Sequence, residues 1–410
     1  MSGAQADGRS QSIAGPAEPG GFRLLFILAV LLGFASISTD LFLPALPTMQ
    51  VALGTSEGTL QFAISGYLLG FGFGQLFWGP VSDRFGRRGP VALGIVIFVI
   101  GSAGCALSTD AWQLIGWRIV QALGASAGVA LARAMVRDLY ERDRAAKVLS
   151  TLMTVMVVAP LLGPSVGAQI LAVSSWQAIF WTLVAIGTAT ALAILTVPET
   201  LPRAERHSDT IVQAVAGYGE VLRNRVLVGY AAAVGFYYVG VFANIAGGAF
   251  AYIAYHGLSP ELYGLVFSSG VLGLMATNFI NSRLVVRFGS DRMLLAGAVG
   301  AAAFGAALAL VTATGIGGVV SLIVTQFLFT AMNGLILANA VAGALSSVQR
   351  RAGAASAVVG AIQYGSGMVG SALVGVLANG TPVPMGSVMA LAGIGCLVSV
   401  VLARKIARSG

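Results

Sequence analysis

Charge is what this chain has least of. Asp, Glu, Lys and Arg make up 9% of its 410 residues, against roughly 25% in an average soluble domain. So few charges cannot cover the surface of a soluble globule, which excludes an ordinary cytosolic enzyme, and the high apolar content excludes a disordered chain. Cysteine is nearly absent. Cys105 and Cys396 each sit inside an apolar run, which excludes a disulfide scaffold and predicts packing residues with no metal site. The two histidines, His207 and His256, fall in connections expected on opposite sides of a membrane. Neither a Ser–His pair nor a histidine-rich metal centre can then form within it, which argues against an intramembrane enzyme. What is abundant is apolar: 57% hydrophobic residues, with 55 glycines besides. A helical span needs about 20 apolar residues, so a chain of this length holds roughly a dozen.

Long uncharged runs predict twelve spans, near 22–44, 59–81, 90–108, 112–135, 146–173, 176–197, 226–250, 262–283, 292–313, 317–345, 352–378 and 384–403. The expected fold class is an all-α membrane protein of twelve transmembrane helices. Residues 1–21 read as a disordered cytoplasmic tail without the character of a secretory signal. One connection, 198–224, is long and rich in charge. It is expected to be a cytoplasmic linker between a six-helix half at 22–197 and a second at 225–404, followed by a short tail at 405–410.

Of the 23 Lys and Arg, only Arg118 and Arg133 fall inside a span; the rest lie on the side of the N-terminus. The opposite connections carry Glu57, Asp110, His256 and Glu261 and no basic residue. The positive-inside rule then predicts both termini in the cytoplasm. The net charge of +8 reads as topology anchoring against a lipid bilayer, not as a nucleic-acid surface. Arg84-Phe85-Gly86 recurs 203 residues later as Arg287-Phe288-Gly289, in step with the seventh span. Two related halves suit a transporter that rocks around a midplane site.

A charge at membrane depth costs about 2.5–3.5 kcal/mol on insertion scales, so the exceptions are informative. Among the acidic residues only Asp40 is expected at that depth. Ser36 and Gly33 share its helical face, which is small and polar and suits a bundle interior. Asp40 reads either as a proton-binding carboxylate in a cavity or as a helix-end residue at the outer interface, since Pro44 and Pro47 follow closely. Its expected cation is Arg118, which reads alternatively as snorkelling to that interface. Gln121, one turn on, can hydrogen-bond a polar ligand.

Gly66, Gly70 and Gly74 in the second span predict close helix packing, with Tyr67 and Gln75 beside them as candidate cavity groups. Pro160, Gly163, Pro164 and Gly167 predict a bent, tightly packed fifth helix. In the loop Gly79, Asp83, Arg84, Gly86, Arg87 and Arg88, a latch is expected between Asp83 and an arginine or a helix N-terminus. The second half offers no membrane carboxylate. Its candidates are aromatics and amides, with Tyr237, Tyr238, Asn244 and Gln363 chosen as substrate contacts beside Asn278, Gln326, Asn333, Asn339 and Tyr364.

Together these segments resemble the major facilitator superfamily, in its twelve-span drug:proton antiporter group, over nearly all of residues 22–404. The 79–88 loop is similar to the superfamily's G-x-x-x-D-R-x-G-R-R signature. Arg118, Gln121 and Gly124 resemble the antiporter R-x-x-Q-G pattern, with Ala122 where glycine is usual. Residues 160–167 resemble the G-P-x-x-G element of the fifth helix, with Ala159 in place of its first glycine. Asp40, Pro44 and Pro47 resemble the first helix of the bicyclomycin-resistance (Bcr/CflA) subfamily. The resemblance implies an inner-membrane exporter of small drugs, amphenicol- or bicyclomycin-like or multidrug, working as a monomer with the proton as coupling ion and no cofactor. Asp40 would bind proton and substrate, Arg118 would couple to the proton, and Gln121 and Tyr67 would contact substrate. Asp83, Arg84 and Arg88 would stabilise the outward-facing state, and Pro160, Gly163 and Pro164 would form the antiport element. Some related exporters carry a second acid earlier on the first helix; here Leu32 and Gly33 occupy that stretch, leaving one acid and one proton per cycle. The alternative reading is an exporter or symporter of a metabolite or sugar with the same fold.

Overall fold

A computed structural model describes residues 22–140, 142–206, 219, 221–348 and 352–409. The tail expected at 1–21 and much of the linker, His207 included, lie outside the described residues. Among the described residues every regular element is helical. Twelve of the helices are long and apolar enough to cross a membrane. We number them α1 (Arg23–Ala52), α2 (Glu57–Phe85), α3 (Arg88–Ala106), α4 (Ala111–Leu139), α5 (Lys147–Val173), α6 (Trp176–Ile194), α7 (Arg225–Tyr255), α8 (Pro260–Phe288), α9 (Ser290–Thr314), α10 (Gly318–Ser346), α11 (Ala355–Leu377) and α12 (Val383–Ala407). The expected spans fall within about five residues of these except at the end of α1, expected at 44, where the chain continues through a 3-10 turn to Ala52; elsewhere most helices extend further because capped polar turns continue them beyond the apolar stretch.

The caps follow from local chemistry. The side chains of Ser56, Asp110, Asn224 and Ser259 accept from backbone N–H groups of the first turns of α2, α4, α7 and α8, donors that would otherwise lack partners. The repeated Arg-Phe-Gly ends α2 and α8 alike: Gly86 and Gly289 take φ of +92° and +80°, a backbone region that glycine enters without a Cβ penalty.

Three helices break where their ladders are interrupted. α1 passes through a 3-10 turn at Leu43–Ala45, around Pro44. α5 is interrupted beyond Met156, whose carbonyl has no N–H to accept from at Pro160. α10 breaks at Met332 with no proline. There the hydroxyls of Tyr237 and Thr277 donate to the carbonyls of Phe329, Thr330 and Ala331, replacing helical partners.

Packing relations recur between the first six and last six helices. α3 packs on α4 and α6, as α9 does on α10 and α12; α2 packs on α4, as α8 does on α10. Glycine allows the closest approaches. A Cβ at Gly124 would strike α3 at Phe98, and one at Gly70 would meet the Ile119 carbonyl of α4. Two seams join the halves, α2 with α11 and α5 with α8. Both are tight at the end away from the arginine-bearing loops. Gly58 approaches Gly375, the Ser65 and Ser371 hydroxyls share a 2.7 Å hydrogen bond, and Ser268 donates to the Leu161 carbonyl at 2.5 Å. The outward surface is apolar, with Phe26, Leu93, Leu192 and Leu391 exposed, as lipid requires.

Candidate functional site

A cavity of about 270 Å³ lies between the halves. Its wall takes Ser36, Thr39 and Asp40 from α1, Tyr67 and Phe71 from α2, and Val157 and Pro160 from α5. Opposite stand Tyr238 and Asn244 from α7, Phe267 from α8, Gln326, Thr330 and Asn333 from α10, and Gln363 and Tyr364 from α11. Such a pocket is mostly apolar with a few convergent polar groups, the usual form of a small-molecule site.

Asp40 is 5% exposed and lines this cavity. It faces neither lipid nor bulk solvent, so the interface reading fails. Gly163 sets the crossing of α5 over α1: a Cβ there would stand 2.8 Å from the Asp40 Cβ. One turn on, a Cβ at Gly167 would strike the Leu41 carbonyl. Among the described residues no hydrogen bond or ion pair holds the Asp40 carboxylate, and Arg118 acts on it through space.

Arg118 is completely buried, so it does not snorkel. Its guanidinium carbon lies 4.3 Å from the ring centres of both Phe42 and Tyr67, a sandwich that partly replaces lost hydration. Nη1 donates to the Ser38 carbonyl at 2.9 Å and to Gln121 Oε1 at 2.5 Å, while Nε and Nη2 have no partner. Gln121 Nε2 in turn donates to Ser102 Oγ at 2.7 Å. The Ser38 hydroxyl donates to the Phe34 carbonyl at 2.5 Å, so the Tyr67 hydroxyl, 2.6 Å away, is the donor in their contact.

The expected contacts Tyr67, Tyr238, Asn244 and Gln363 stand in the wall with Asp40. Three others do not. Gln121 lies behind Arg118. Gln75 is outside the wall, with Nε2 buried and unpartnered. Tyr237 stacks on Phe329 at 5.3 Å, and its hydroxyl is engaged by the α10 break. It is a packing residue. The wall also holds Thr39 and Thr330, which the sequence did not single out, and Asn333 and Gln326, which it offered only as general candidates. All are polar residues in apolar helices, a visible signal, but which face each takes is set by packing.

The stretch expected as a loop at 79–88 is helical except at Gly86 and Arg87, since α2 runs to Phe85 and α3 starts at Arg88, and its charge cluster forms around Arg87, not around Arg84 and Arg88. Arg87 donates to Asp83 at 2.5 Å, Ser82 at 2.7 Å and Asp138 at 2.8 Å. Glu199, beyond α6, accepts from the backbone N–H groups of Arg87 at 2.7 Å and Arg88 at 3.3 Å, capping α3. Arg88 donates to the Leu195 carbonyl. Arg84 is exposed beside the Phe85 ring, and the Gly79 carbonyl accepts from Ser82. A Cβ at Gly86 would stand 2.5 Å from the Glu199 carboxylate. Partial burial works to raise the Glu199 carboxyl, but the N–H donors of Arg87, Leu201 and Arg88 and the charge of Arg206 outweigh it and hold it below the ordinary value.

The sequence profile described as Major Facilitator Superfamily matches residues 28–370. The chain belongs to this superfamily. It is 34% identical over 372 residues to an uncharacterized MFS-type transporter, YdgK, of Bacillus subtilis, covering 89% of this chain and 91% of that one. It is 32% identical to a chloramphenicol resistance protein of Pseudomonas aeruginosa (86% and 83% covered) and 29% to a bicyclomycin resistance protein homolog of Haemophilus influenzae (88% and 92%). The partially occluded, inward-open xylose transporter XylE of E. coli shares the fold, with a TM-score of 0.73 at 16% identity over 94% of this chain and 97% of that one. The superfamily's members are transporters, so the chain is a transporter, and twelve helices among its described residues are long and apolar enough to span a membrane.

Proposed function

We propose that the chain is a proton-coupled antiporter that exports small drugs across a bacterial inner membrane by alternating access, as a monomer with both termini in the cytoplasm. One observation carries the reading: a buried carboxylate, Asp40, stands in the cavity wall without a fixed partner, beside an Arg118 whose hydrogen bonds go elsewhere. Burial favours the neutral form of such a group and the guanidinium favours the charged form, so its proton can come and go. Proton and drug then compete for one site, and each shifts the equilibrium between inward- and outward-facing states. Tyr67, Tyr238, Asn244 and Gln363 contact the drug. The arginine-rich end is cytoplasmic, so the seams tight at the far end correspond to an inward-facing state. Pro160, Gly163, Pro164 and Gly167 let α5 bend against α1 during the exchange, and the Asp83–Arg87 cluster marks the cytoplasmic end of the rocking half. The drug-resistance relatives support this substrate class, while the sugar transporter shares fold alone, so drug export stands ahead of metabolite or sugar transport.

With one acid and one proton per cycle, export of a neutral drug moves net charge and draws about 2.3 kcal/mol per 100 mV of membrane potential. The test uses proteoliposomes with an imposed pH gradient and chloramphenicol as probe. Wild type drives the drug uphill against proton flow, and Asp40→Asn abolishes this. Normal uphill transport by Asp40→Asn overturns the role of that residue; drug and proton moving in the same direction overturns antiport.

A further inference from the structure

One amide in the cavity wall is gripped from behind by a residue outside the wall. α7 ends in a π-helical segment, Phe250–Tyr255. Its turns are wider than those of an α-helix, so each residue advances less around the axis. Tyr252 is thereby turned towards α10, where its hydroxyl donates to Oε1 of Gln326 at 2.8 Å. Both side chains are buried, and of the two only Gln326, 3% exposed, lines the cavity. Reversing the Gln326 amide would set Nε2 against the phenol and leave the phenol proton without an acceptor, so the hydrogen bond fixes which end is which. Nε2 lies on the side of Gly270 and Thr330. A Cβ at Gly270 would stand 3.9 Å from Nε2 and 3.5 Å from Thr330 Cγ2. Thr330 lines the cavity, as does Val271, the neighbour of Gly270. Among the described residues nothing accepts from Nε2, and it is not one of the polar atoms buried without a partner. What opens it is the cavity.

The free end of this amide only donates. In a cavity that is mostly apolar, a donor held in place favours an acceptor on the ligand and disfavours a second donor. A hydroxyl would bring a proton that needs an acceptor of its own, and the Gln326 oxygen is already taken by Tyr252. A carbonyl or nitro oxygen accepts and brings no proton. We propose that Gln326 Nε2 is a fixed donor to a carbonyl or nitro oxygen of the transported molecule, and that Tyr252 is the positioning residue that keeps the amide from reversing. Without Tyr252 the amide can present either end, and the ordering it had before binding is lost. The proposal rests on the export reading above and deepens it.

Chloramphenicol tests it, because the drug carries both an amide carbonyl and a nitro group. Isotope labels in the carbonyl carbon and the nitro nitrogen let infrared difference spectra read each band of the bound drug apart from the protein. A hydrogen bond weakens the C=O or N–O bond, so purified wild type is expected to lower one of the two bands relative to the drug in an apolar solvent. Gln326→Met, similar in volume but without the N–H, is expected to return that band and to weaken binding at least about fivefold. Tyr252→Phe keeps the ring and frees the amide; it is expected to split the lowered band into bonded and unbonded components and to weaken binding about twofold. If Gln326→Met does not fold, Gly270→Ala carries the test, since its methyl meets Nε2 at ordinary contact distance and is expected to reduce the shift. Bands that are the same in wild type and Gln326→Met, or in wild type and Gly270→Ala where that variant carries the test, overturn the donor whatever the affinity, and leave drug export standing. A lowered band that stays whole in Tyr252→Phe overturns the positioning role of Tyr252. Wild type that does not bind chloramphenicol overturns export of this drug and the subsite with it.

Discussion

At the scale of single residues, the site depends on a cation held by shape as much as by charge. Arg118 is planar, and its flat guanidinium fits between the rings of Phe42 and Tyr67 while Nη1 reaches the Ser38 carbonyl and Gln121. Lysine carries the same charge without that plane or those donors. Arg118→Lys is therefore expected to fold, to elute as a single species in detergent, and to lose at least about tenfold in proton-driven transport, since a removed buried charged hydrogen bond costs more than about 1.4 kcal/mol. Transport within twofold of wild type would mean that charge alone suffices. Asp40 and Arg118 stood out in the sequence because lipid penalises charge and exceptions are few. Tyr237 and Gln75 did not sort correctly, because a tyrosine or glutamine in an apolar run looks the same whether it faces a cavity, a broken helix or a neighbour.

At the scale of elements, the cluster around Arg87 shows a carboxylate closing a helix start. Glu199 accepts from the N–H groups of Arg87 and Arg88 at the beginning of α3, where the helix dipole also favours negative charge. Glu199 is held below its ordinary value of 4.5 in the folded chain. Its contribution is therefore fully present above the unfolded value and is lost as pH falls through the lower folded value. Glu199→Gln is expected to cost about 1 kcal/mol after allowance for solvent screening. That lowers Tm in detergent by about 2 °C at pH 7. The gap between the two proteins should close as the pH falls through the lowered folded value; a gap unchanged at low pH would show that the carboxylate's charge plays no part. No local pattern announces this pairing, since 112 residues separate Arg87 and Glu199. The end of α2 was legible: Arg-Phe-Gly is a local pattern, and the same three residues end α8.

At the scale of the whole molecule, the two seams decide which end is closed. The Ser65 and Ser371 hydroxyls meet at 2.7 Å across α2 and α11, close enough for a disulfide in their place. With Cys105 and Cys396 replaced by alanine, Ser65→Cys combined with Ser371→Cys should cross-link under mild oxidation, arrest transport and recover on reduction. Undiminished transport by the fully cross-linked protein would show that this seam does not open in the cycle. A packing prediction belongs to the same scale. Gly167→Leu drives a side chain into the Leu41 carbonyl and is expected to destabilise by about 1–3 kcal/mol, read as a lower Tm, whereas the exposed Val173→Leu should not.

The sequence by itself determined the number of spans, their near boundaries, the rarity of membrane charge and hence the two residues at the centre. The reason is that lipid acts on every residue of a helix alike, so length and charge are written locally and can be counted. Only the tertiary structure decided which polar side chains meet. These helices are apolar nearly all round, so their own pattern does not say which face turns inward. That choice falls to contacts between distant segments: Gly163 against Asp40, Tyr237 at the α10 break and Glu199 on α3.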